Sequence, residues 1–202
     1  MNFKLSTFTV AAFLAYSGAS AATLDFVTEA NGNERGETSG YVLNNANTDF
    51  INVTITSNYN PYFDSGTAGL GVCKILSASK QCNPRNDDNV TEGEWVKLGF
   101  DFAMNVTDLI FRDADHDLLS TSVKNLLVGI NGGALSQMTF KAVSSATFTN
   151  VKSIQFAFGG RDPDQFYISG ATATPVPVPA SLPLLAAALG AFGLARKRRR
   201  AA

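Results

Sequence analysis

Between Ala22 and Thr174 apolar side chains recur at every second position, and this alternation restricts the chain to β architectures. Ile51, Val53 and Ile55 alternate with Asn52, Thr54 and Thr56; Val96, Leu98, Phe100 and Phe102 alternate with Trp95, Lys97, Gly99 and Asp101. A period of two turns one set of side chains toward a core and the other toward solvent. The pattern returns at Leu126, Val128 and Ile130, at Ile154, Phe156 and Phe158, and at Phe166, Ile168 and Gly170. Asn31-Gly32-Asn33, Asp64-Ser65-Gly66, Asn131-Gly132-Gly133 and Gly159-Gly160 supply turns between these runs, and no core segment sustains a helical period. The expectation is an all-β fold over residues 22–173. It takes the form of an antiparallel β-sandwich, jelly-roll-like, with about eight to ten short strands. Most of its phenylalanines, from 15 in the chain, fall on inward positions.

The formal charge of −1 conceals a segregation. All 17 acids lie between Asp25 and Asp164, where only 10 of the 16 bases are found, while Arg196, Lys197, Arg198, Arg199 and Arg200 crowd the C-terminus. A domain this acidic repels phosphate backbones, so no nucleic-acid partner is expected.

Both ends are organised for export. Lys4 precedes an apolar run from Leu5 to Ala15, and Ala19-Ser20-Ala21 supplies the small-residue pattern of a secretory cleavage site. Residues 1–21 are therefore read as a signal peptide, the alternative being a retained anchor. At the other end Thr174-Pro175-Val176-Pro177-Val178-Pro179 is a proline-stiffened linker, assigned to residues 174–181. Residues 182–195 form a short apolar segment, read as a membrane helix, and residues 196–202 a basic cytoplasmic tail. By the positive-inside rule the domain then lies outside the inner membrane.

A proline motif, an apolar helix and an arginine cluster in that order resemble the PEP-CTERM class of sorting signals of Gram-negative bacteria. Val176, Pro177, Val178, Pro179 and Ala180 are closest to its VPLPA-CTERM variant, with Val178 in place of Leu. The resemblance implies recognition by an exosortase-type processing enzyme, transient anchoring in the inner membrane, and delivery to the cell surface or extracellular matrix. The alternative is an ordinary single-pass anchor. Residues 62–100, with Tyr62-Phe63-Asp64 and Gly69-Leu70-Gly71-Val72-Cys73, and residues 164–174 bear a weaker resemblance to secreted proteins with this signal. That likeness brings no activity with it.

Cys73 and Cys82 are separated by eight residues in a chain expected in an oxidising compartment, and they read as a disulfide; a metal pair or a catalytic thiol are the alternatives. Asp113, Asp115 and Asp117, and the second group Asp87, Asp88, Glu92 and Glu94, are candidate ligands for a structural calcium, set against ordinary solvated turns. The aspartate-rich run fails as an EF-hand, having Leu118 at the sixth position and Lys124 at the twelfth. No nucleophile elbow, zinc helix or phosphate loop occurs, and His116 is the only histidine, so no enzyme is expected. The function expected is a structural or binding role. The alternative is a calcium-assisted module that holds exopolysaccharide through Trp95.

Overall fold

The computed structural model describes residues 20–44 and 51–177. The signal-peptide residues before position 20, the sorting-motif residues Val178 to Ala180, the apolar segment and the basic tail lie outside these residues. Among the described residues, no helix is long and apolar enough to cross a membrane.

The all-β expectation holds: the elements are almost entirely antiparallel strands. In chain order they are β1 (Ala22–Asp25), α1 (Phe26–Ala30), β2 (Arg35–Gly36), β3 (Tyr41–Leu43), β4 (Val53–Ser57), β5 (Asn60–Asp64), β6 (Gly69–Cys73) and β7 (Trp95–Arg112). They continue with β8 (Asn125–Ile130), β9 (Ser136–Thr139), α2 (Phe140–Ser144), β10 (Phe148–Ala157) and β11 (Tyr167–Pro175). The described residues hold eleven strands against the eight to ten expected, because β1 and β2 are too short to leave an alternation in sequence. The two five-residue helices also escape a periodicity search; they are fixed at their starts by side chains. Asp25 Oδ1 accepts from Thr28 N at 2.9 Å and Thr139 Oγ1 from Ala142 N at 3.1 Å, satisfying backbone donors that a first turn leaves open.

The strands join in one hydrogen-bonded sheet, ordered β2-β5-β6-β11-β7-β10-β8-β9, with β4 also on β7, β3 on β4 and β1 on β11. The 18-residue β7 is its hub. Its first half pairs with β4 (Val53↔Phe100 to Ser57↔Val96) and its second half with β11 (Tyr167↔Arg112 to Pro175↔Met104). β10 lies along the opposite edge.

The alternation in β7 is not continuous, and this corrects the reading of Phe102 as a buried residue. Val96, Leu98 and Phe100 face inward, but Phe102 is 41% exposed. Val53, the first residue of β4, lies opposite Phe100, and Pro175, the last of β11, lies opposite Met104, so among the described residues no strand pairs with residue 102 on that edge. Further on, Asp108 has φ 51° and the inward phase shifts from Met104 and Val106 to Leu109 and Phe111, as a bulge requires. β6, and β11 from Tyr167 to Ala171, are buried on both faces, since α1 packs on both strands.

Aromatic rings organise the core. Phe111 of β7 meets Phe140 of α2, Phe156 of β10 and Phe166 edge-to-face, with centroids 5.5, 5.3 and 5.7 Å away, and Phe140 meets Phe166 at 5.5 Å. All four are fully buried. Such pairs add about 0.5–1.5 kcal/mol beyond area burial. Phe111→Ala is expected to lower unfolding stability by about 3–5 kcal/mol, the range for a large aromatic lost from a core, as read by urea denaturation. A loss below about 1 kcal/mol would show that the cluster does not organise the fold.

Candidate functional site

Cys73 ends β6 and is disulfide-bonded to Cys82, with Cα atoms 5.7 Å apart, so the disulfide expected from the sequence is present. The bridge starts the loop of residues 83–89, and the far end of that loop is held by Val90 pairing with Phe166 in both directions (N···O 2.8 and 3.1 Å). Gly71 lets the loop settle on β6: a Cβ there would overlap the Asp88 carbonyl oxygen. These restraints bring Asp88 to the start of β11, where Tyr167 donates its hydroxyl to Asp88 Oδ1 at 2.6 Å.

Three further segments complete a cleft of about 520 Å³. β5 ends at Asp64. The segment before β2 contributes Glu34, which accepts hydroxyl hydrogen bonds from Tyr62 (2.7 Å) and Ser65 (3.0 Å). The turn after β7 contributes His116. Asp113 Oδ1 accepts from the backbone N–H groups of Asp115 (3.0 Å) and Asp117 (2.8 Å), which closes this turn, and Arg112 donates to the His116 carbonyl oxygen at 2.7 Å. So fixed, and with φ 67°, His116 puts Nε2 3.1 Å from Asp64 Oδ2 and its ring edge-on to Tyr167 at 5.3 Å. Arg85, Asn86, Asn89, Ala114 and Gln165 finish the lining.

The cleft is strongly acidic, with Glu34, Asp64 and Asp88 set against Arg85 and His116. Burial pushes the Asp64 carboxyl up to about 6, helped by the negative charge of Asp88 and opposed by His116. Burial also raises the Asp88 carboxyl, against the pull of the Tyr167 hydrogen bond, and it raises the Tyr167 phenol. Desolvation of the charged form is the common cause.

The structure separates most of the residues singled out in the sequence. The Asp113 carboxylate closes its own turn. Asp87 pairs with Lys74 (3.2 Å) whereas its neighbour Asp88 points into the cleft, so the two do not converge. Among the described residues no group of three or more His, Cys, Asp or Glu is placed to hold a metal ion. Trp95 is half-buried on the outward side of β7 with Lys97 Nζ 6.0 Å from its ring centroid, and it takes no part in the cleft. Of the sequence candidates only Asp88 lines it; Glu34, Asp64, Asn89, Gln165 and Tyr167 were not singled out as a site. No protein family matches the chain, and no curated protein or solved structure matches it.

A carboxyl held above its unfolded value keeps its proton longer in the folded state. Folding is therefore favoured at low pH, and stability is lost as pH rises from the ordinary 3.8 through about 6. Asp64→Asn is expected to stabilise the protein at pH 7 by about 1–2 kcal/mol and to flatten its stability between about pH 4 and 6, measured by denaturant titration. A variant less stable than the parent at pH 7 would show that the pair with His116 outweighs the burial of the charge.

Proposed function

We propose that this chain is an exported surface or matrix protein of a Gram-negative bacterium, non-catalytic, which presents its acidic cleft to a ligand. The observation that supports this most is the path of β11. At one end of this nine-residue strand Tyr167 lines the cleft; at the other, Pro175 opens the proline linker. The strand spans roughly 26 Å at about 3.3 Å per residue. β1 pairs with the linker end of β11, Ala22 opposite Ala173, so the chain leaves the domain in both directions at one pole. A domain held through these ends turns its cleft away from the membrane.

Two other features fit export. The first strand begins at Ala22, immediately after the proposed cleavage at Ala21, so removal of residues 1–21 leaves the sheet whole. The disulfide suits an oxidising compartment. In this reading the fold is a two-layer sandwich: β3, β4, the first half of β7, β10, β8 and β9 form one layer, and β2, β5, β6, β11, β1 and the second half of β7 the other. The large buried cluster between them draws residues from both sets. The ligand site is the cleft rather than Trp95, whose ring is partly covered by Lys97.

In this account residues 175–202 are a sorting signal handled by an exosortase-type enzyme. The intact mass of the protein from the envelope and medium of its host is expected to show loss of residues 1–21 and a truncation near Val176 to Ala180. Material that keeps the basic tail in every fraction would overturn sorting and leave a permanently anchored domain.

A further inference from the structure

We infer that the cleft binds amino-sugar units, taking ligand ammonium groups on Asp64, Asp88 or Glu34 and ligand hydroxyls on Asn86, Asn89 and Gln165; this rests on the cleft being the binding site proposed above. Its volume of about 520 Å³ falls among sites for small organic ligands. Nine of its ten lining residues carry a polar or charged group, and the one phenol is already bonded to Asp88, so an apolar ligand would strand polar groups.

Asn89 points to hydroxyl recognition. It is only 4% exposed and borders the cleft, and its Nδ2 donates to Gln165 Oε1 at 3.1 Å. Its own Oδ1 and the Gln165 amide N–H groups have no partner among the described residues. These atoms are not among the buried unpaired polar atoms of the described residues, so the open acceptor and donors face the cleft and are offered to whatever enters. A sugar hydroxyl, which both donates and accepts, fits them.

The charge points to an ammonium. Glu34 and Asp88 are held by hydroxyl donors, from Tyr62, Ser65 and Tyr167, which orient the carboxylates without neutralising them. The three acids outnumber Arg85 and the His116 that pairs with Asp64, so an incoming cation gains from charge-assisted hydrogen bonds in this part-buried setting more than an anion does. The acids are spread around the cleft instead of gathered about one point, which suits an extended organic cation better than a metal ion. A pyranose bearing a free amine combines the two requirements in one unit.

The test is calorimetric titration of the full chain in detergent, near neutral pH, with a glucosamine trimer, its N-acetylated counterpart, spermidine, and calcium chloride alone. The glucosamine trimer is expected to bind saturably and at least about tenfold tighter than either the acetylated trimer or spermidine. That affinity should fall with added salt. Asp64→Asn and Asp88→Asn are each expected to weaken it about tenfold, and Asp101→Asn, the same charge change at an exposed position outside the cleft, to leave it unchanged. Equal binding of the acetylated trimer, equal binding of spermidine, stoichiometric binding of calcium abolished by these variants, or no binding of the glucosamine trimer would each overturn the inference. Where the host's own protein shows both truncations by mass, such a failure removes the ligand class and leaves the export reading standing.

Discussion

The pairing of β7 with β11 is the constraint on which the rest of the domain depends. β7 is long enough to serve β4 with its first half and β11 with its second, while β10 follows along its other edge. A strand shared in this way joins the β4 side of the sheet to the β11 side, and Phe111, near the end of β7, becomes the ring that three other phenylalanines contact. β11 in turn receives β1 and β6 on its far edge. The same strand thus fixes the N-terminal segment, the exit to the linker and one wall of the cleft.

The cleft shows what such a scaffold does to chemistry. Asp64, Asp88 and Glu34 lie on three separate segments, and each is costly to bury as an ion. They are retained by local devices: a hydroxyl from Tyr167, hydroxyls from Tyr62 and Ser65, and an imidazole held in place by the Asp113 turn. The hydroxyls orient Asp88 and Glu34 without cancelling their charge, while His116 faces Asp64 as a paired base, and the result is an acidic cleft whose stability is lower than its packing would allow. Stability of this kind is commonly given up where a surface is shaped for a ligand.

Much of the fold was legible in the sequence because the period-two signal depends on one-sided burial, which β4 and the first half of β7 have. Phe102 was misread because alternation reports a face and not whether a neighbouring strand covers it. β6 and the start of β11 gave weaker signals, being buried on both faces and drawn close by Gly69 and Gly170, each of which abuts backbone of a neighbouring strand. The disulfide was readable from spacing and compartment. The site was not: Glu34, Asp64, Asp88, His116 and Tyr167 are scattered over more than a hundred positions with no motif spacing. The densest acidic run, from Asp113 to Asp117, drew attention to calcium, whereas the structure uses its first carboxylate to build the turn that presents His116.

The central claim is that β11 connects a membrane-side pole to an outward-facing cleft. Its most direct test places a nitroxide at Ala114, on the cleft, or at Thr174, beside the linker, in the full chain reconstituted in lipid nanodiscs doped with a headgroup-chelated relaxing ion. Stronger relaxation at position 174 than at 114 is predicted. Equal relaxation at the two positions, or stronger relaxation at 114, would contradict the account.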